Sequence, residues 1–147
     1  MLKIGYHYTS LECYKSVQKD GIIPYPISKE NEGVEFSPII STNGIWTWLS
    51  KLTPLEHAAS IIYQTLHRSL FDIVVIKFRY NYTTDIYRHE GREVIFKHYY
   101  NHHPEWHKDV PAVIVTKIVP ITNIINVRSY NLIHLLWRGN LLFSSAR

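Results

Sequence analysis

The stretch FDIVVIKFRY, residues 71–80, restricts the folds open to this chain more than any other. Its β-branched and aromatic residues have the length and composition of a buried strand. Further apolar runs follow it. REVIF (92–96) and PAVIVTKIV (111–119) read as strands, and NIINV (123–127) as another after a turn at Pro120. The helical patterns lie earlier in the chain. Helices first and strands afterwards predict an α+β domain with a largely antiparallel sheet, rather than a doubly wound parallel one.

The first helix is spelled out locally. Lys3 to Tyr8 reads as a short strand, and Thr9-Ser10-Leu11-Glu12 has the spacing of a capping box with Thr9 at the N-cap. Leu11, Tyr14 and Val17 follow at helical spacing over 11–19, and Gly21 stands where a glycine stops a helix. GIIPYPIS then leaves in an extended form, because each proline turns the residue before it away from the α region. Residues 28–37 are polar and read as a surface loop. PIISTN (38–43) reads as a short strand and GIWTWLSK (44–51) as a turn. A second capping box, Thr53-Pro54-Leu55-Glu56, opens a helix whose apolar stripe runs from Leu55 to Leu70.

Nothing divides the 147 residues: no repeat, linker or low-complexity tract interrupts them, so residues 1–147 read as one domain. With 46% hydrophobic and 19% charged residues the chain has the balance of a folded globule. Eleven tyrosines and four tryptophans suit either a core or a ligand cleft. Cys13 is the only cysteine, which excludes an internal disulfide and a cysteine-rich zinc site and suits a reducing compartment. It reads as a small core-facing residue. The N-terminus lacks a hydrophobic signal region, and the apolar stretch NLIHLLWRGNLLF is too short and too charged to span a bilayer. The expectation is a cytoplasmic protein without a membrane partner. Its net charge of +4 is spread along the sequence with no basic run, which is compatible with nucleic acid, an acidic protein or an anionic cofactor.

No phosphate loop, nucleophile elbow, zincin motif or zinc-ribbon spacing is present, so any chemistry must rest on side chains. Four groups of side chains stand out. FKHYYNHHPEWHKD holds His98, His102, His103 and His107, but one helix would turn them to different faces and Pro104 interrupts it. A two-histidine metal site completed by Glu105 or Asp109 and a histidine-rich loop are both readings of that segment. Glu93, entering a strand after Arg92, is either a surface ion-pair partner or a carboxylate placed to stabilise developing positive charge. IISTN, with Trp46 and Trp48 close behind, offers hydroxyls for turn capping or for a polar ligand. GYHYTS sets His7 between two tyrosines at the start of the first helix, either to pack or to hold a ligand.

In this order the pieces resemble the ADP-ribosyltransferase superfamily. GYHYTS is similar to that family's aromatic-His-x-Thr/Ser motif, and DGIIP is similar to the exit that follows it. IISTN resembles the second motif, and GREVIF the third, a glutamate opening a late strand. The resemblance spans roughly residues 4–125. It implies a split sheet and NAD as substrate. It also implies that His7 binds a ribose hydroxyl with Thr9 nearby, and that Ser41 and Thr42 lie at the cleft. Trp46 or Tyr80 would pack on nicotinamide, and Glu93 would be catalytic through the nicotinamide-ribose 2′-hydroxyl. Gly91 stands where one branch carries an acceptor-selecting Glu or Gln. If PAVIVTKIV were the third-motif strand, Pro111 and Ala112 would open it and no carboxylate would. The implied function is transfer of ADP-ribose to a protein or nucleic-acid acceptor, as in a toxin or phage effector. The alternatives are a catalytically silent member of the fold that binds a nucleotide, nucleic acid or protein, and an unrelated α+β binding module.

Overall fold

A computed structural model describes residues 1–27, 42–51, 72–98 and 110–131. The second predicted helix, the 28–37 loop, Ser41, the C-terminal apolar stretch and the histidines at 102, 103 and 107 lie outside the described residues. The described elements run β1 (Leu2–Ser10), α1 (Leu11–Asp20), β2 (Tyr25–Ile27), β3 (Thr42–Trp48), β4 (Asp72–Asn81), β5 (Arg88–His89), β6 (Arg92–Glu93), β7 (Phe96–His98), β8 (Val110–Val115) and β9 (Ile124–Asn131). Every pairing between them is antiparallel, so the chain is a small α+β protein with one described helix. No described helix is long and apolar enough to cross a membrane.

The main sheet has the order β7–β8–β3–β1–β4–β9, with β2 added to β3. β1 and β4 are paired over their whole length, from Leu2↔Asn81 to Ser10↔Ile73. β1 and β3 meet at a single register pair, Tyr6↔Trp48. The sheet turns sharply at this seam. In a flat sheet, Asn81 and the residue beside Val115 on the far edge of β8 would be about 30 Å apart. Ile86 is that residue, and five residues of chain reach at most about 18 Å. The two halves must therefore fold over one another. Their facing side chains form one core: Val74, Ile76, Phe78 and Tyr80 from β4 meet Ile45 of β3 and Val113 and Val115 of β8. Each fully buried side chain of this kind contributes roughly 1.5–3 kcal/mol.

Several local expectations shift by a residue or more. The helix N-cap is Ser10, whose hydroxyl accepts from the Cys13 N–H at 3.1 Å, and not Thr9. Thr9 is still paired with Val74 in the β ladder, so tertiary pairing holds it extended and moves the cap one residue on. Glu12 then falls in the first turn, where it favours the helix dipole, instead of closing a capping box. The helix buries Val17 and packs Tyr14 partly against the core, whereas Leu11 is exposed. Cys13 is exposed too, in contrast to the core position expected of it: it shares a face with Val17 but lies one turn earlier, away from the helix end that the Ile22–Val119 bridge docks.

GIWTW is strand, not turn: β3 continues to Trp48, with Ile45 and Thr47 buried on one face and Trp48 on the other. REVIF is broken into β6 and β7 by Val94 and Ile95. β5 and β6 form a separate two-stranded sheet closed through Glu90 and Gly91, both at positive φ (51° and 76°), the twist that a two-residue hairpin favours. PAVIVTKIV ends its strand at Val115, and Val119 forms an isolated bridge with Ile22.

Candidate functional site

β2 and β1 share one edge of β3. β2 covers it from Thr42 to Gly44 and β1 reaches it at Trp48, which leaves a gap at Trp46 between them. Side chains fill that gap. The Trp46 carbonyl accepts from His7 Nδ1 at 2.9 Å, and the Trp46 N–H donates to the Tyr25 hydroxyl at 3.4 Å. The His7 and Tyr25 rings lie 6.1 Å apart at 43°, and Trp48 stacks edge-on against Trp46 at 5.6 Å. His7 thus does the work of a missing ladder hydrogen bond at the seam where the sheet turns.

This bond settles the tautomer. A carbonyl only accepts, so the proton sits on Nδ1 and the Nε2 lone pair is an acceptor. Burial lowers the His7 pKa from its ordinary value, and the backbone hydrogen bond to Trp46 offsets only part of that loss. The ring is therefore neutral at pH 7. Among the described residues none donates to Nε2. What the window can do chemically is accept one hydrogen bond from a hydroxyl or N–H, beside the ring of Tyr25.

The other expected site residues are spread out. Thr9 is half-buried two residues beyond His7 on the same strand face. Thr42 begins β3, paired with Ile27, and its hydroxyl donates to the Asn43 carbonyl at 3.3 Å. Tyr80 is only 1% exposed, packed between the rings of Phe78 and Tyr82, and so offers no open face to a nicotinamide. Its buried hydroxyl has no hydrogen-bond partner among the described residues. Burial first, and the charge of Tyr82 second, push its pKa up to about 12. An unsatisfied buried hydroxyl costs about 1–3 kcal/mol, so Tyr80→Phe is expected to raise stability by about 1 kcal/mol in urea denaturation.

Glu93 stands apart from the window. It ends β6 in the small hairpin, where its Oε2 accepts from the Tyr82 hydroxyl at 2.7 Å and its Oε1 lies 3.8 Å from Arg88. Arg88 also donates to the Tyr82 and Thr83 carbonyls, which ties the hairpin to the end of β4. Burial, the Glu93 hydrogen bond and the Glu93 charge together push the Tyr82 pKa up to about 12. Tyr82 is one residue past Asn81, the partner of Leu2, while His7 pairs with Ile76. Six residues of strand, about 20 Å, separate the two anchor points.

Tyr25 and Tyr82 are the site neighbours that sequence reasoning missed. Pro24 and Pro26 signal that Tyr25 is extended, but no local pattern announces that its hydroxyl meets the Trp46 amide. Among the described residues no three His, Cys, Asp or Glu side chains gather as a metal site. Fold and window together define a small α+β domain with a neutral histidine set in a gap of its sheet. Comparison with known protein families, curated proteins and solved structures finds no match for the chain.

Proposed function

We propose that this chain is an ADP-ribosyltransferase-like domain that takes NAD as its ligand and holds a ribose hydroxyl at His7. The observation that carries the reading is the Nδ1–H bond to the Trp46 carbonyl, which leaves Nε2 as an acceptor of the kind a ribose hydroxyl needs. Tyr25, with its ring 6.1 Å from His7, and Thr9, two residues on along the same strand face, are the side chains beside that use, and Trp46 contributes its carbonyl. Glu93 is the carboxylate the resemblance offers for transfer. It would accept from the nicotinamide-ribose 2′-hydroxyl and stabilise positive charge on the ribose as nicotinamide leaves, before an acceptor nucleophile on a protein or nucleic acid attacks.

A second reading, a silent domain that binds NAD without transferring it, is favoured by the placement of Glu93. Its carboxylate sits on a two-stranded hairpin outside the main sheet and already accepts from Tyr82. In the main sheet the corresponding late strand, β8, begins Val110-Pro111-Ala112 without a carboxylate.

Nicotinamide release and NAD binding separate the two. Transfer predicts NAD turnover that falls about 10²–10³-fold in Glu93→Gln while the variant melts like the parent. The silent reading predicts saturable NAD binding with no nicotinamide release in either protein. Absence of both binding and release would remove NAD from the account.

A further inference from the structure

The alternation of β1, β4 and β9 sorts their side chains onto two faces. One face carries the larger core cluster and His7, and the smaller cluster of Ile27, Trp48, Ala112 and Ile114 packs against Tyr6 and Tyr8 on the other. This other face carries Tyr6 opposite Lys77, Ile4 opposite Arg79, and Arg128 opposite Val75. Arg79 and Arg128 are exposed and Lys77 half-buried, and among the described residues none of the three makes an ion pair or a hydrogen bond. No described strand position on this face is a carboxylate. Three cations with no counter-charge among the described residues lie within about two residues or one strand of each other, where they repel one another. Half-buried Tyr6 and exposed Ile4 and Asn126 complete the patch.

We propose that this outer face binds single-stranded nucleic acid. The cations would neutralise backbone phosphates, and the Tyr6 ring would stack on a base beside them. Charge complementarity points to a polyanion, since three cations adjacent on one sheet face match a run of phosphates better than scattered acids. The face is covered at its Ile73 and Val75 end, and the exposed part carries Arg79, Arg128 and Ile4 around half-buried Tyr6. A ring edge among cations suits unpaired bases, whose faces are free to stack, better than a duplex whose bases are hidden. The proposal is independent of the NAD reading, because His7 faces the other side of the same strands.

The test is fluorescence anisotropy of the full chain with a labelled mixed-sequence 20-mer of single-stranded DNA or RNA, at about 50 and 200 mM salt. Binding is expected to weaken steeply with salt, by about 0.7 in the log–log slope per phosphate neutralised. The triple variant K77Q/R79Q/R128Q should bind at least 30-fold more weakly with a flattened salt slope. Tyr6→Leu should lose about tenfold with the slope unchanged. K15Q/K19Q, which removes two cations from α1, should bind like the parent. Melting curves establish that each variant is folded. Equal affinity of the triple variant and the parent would overturn the proposal. So would tighter binding to the matching duplex, or binding only to vesicles with anionic lipid.

Discussion

Gly21→Ala is expected to destabilise this domain by about 3 kcal/mol or more. Gly21 ends α1 with φ 78° and ψ −171°, a region that essentially only glycine occupies, while its N–H donates to the Val17 carbonyl at 2.9 Å. A Cβ there would also overlap the Val119 carbonyl oxygen. That oxygen already accepts the Ile22 N–H at 2.9 Å, and Val119 returns the bond to Ile22 at 3.0 Å. The substitution therefore strains the helix exit and pushes apart the bridge that docks the exit on the segment after β8. Neither effect is relieved by moving a flexible side chain, because the obstacle is backbone. A thermal melt lowered by roughly 10 °C is the expected readout, at about 2–4 °C per kcal/mol for a chain of this size. A Gly21→Ala protein that melts with the parent would mean that the bridge contributes little.

Gly91 makes a useful contrast. It also has positive φ, but nothing lies within 4 Å of where its Cβ would be, and it sits at the tip of an exposed hairpin. The cost there is conformational strain alone. Alanine at Gly91 should therefore cost much less than alanine at Gly21, where a glycine-only backbone region and a backbone clash coincide.

Gly21 was legible in the sequence because a helix stop is a local event: capping residue, apolar spacing and terminal glycine all fall within one short stretch. The strands β4 and β8 were legible for a similar reason, since a buried strand announces itself by its own composition. What depended on distant partners was not. The ladder to Ile73 and Val74 decides between Thr9 and Ser10 as the cap. Ile114 and Val113 of β8 decide that GIWTW is extended and not a turn. The split of REVIF into two strands follows from a separate hairpin partner for Glu93 and a main-sheet partner for Phe96. The window itself joins residues 39 apart in sequence, His7 and Trp46, and no periodicity in either segment encodes their meeting. A histidine between two tyrosines was visible. That it stands in for a strand hydrogen bond was not.

Substitutions at His7 should divide its structural role from its binding role. The native ring is neutral with a lowered pKa, whereas the unfolded chain titrates near the ordinary value of 6.5. Between 6.5 and the lower native value the unfolded state therefore binds a proton that the native state does not. Its contribution to stability is complete above 6.5 and is lost progressively as pH falls below it. His7→Leu removes the donor to the Trp46 carbonyl and should cost about 1–3 kcal/mol at neutral pH. His7→Asn carries an amide N–H in the place of Nδ1–H, so most of that loss should be restored. Both variants should flatten the difference in stability between about pH 7.5 and pH 5.5 in urea titrations. Other groups also titrate there, so the comparison is of each variant with the parent. Binding sorts the same three proteins differently. Asn has no acceptor where Nε2 stands, so NAD affinity should fall about tenfold or more in both variants, even though only Leu is strongly destabilised. If the Asn variant kept parental affinity, Nε2 would not be the ribose contact. If the Leu variant were as stable as the parent at neutral pH, the gap at Trp46 would not depend on His7 for its hydrogen bond.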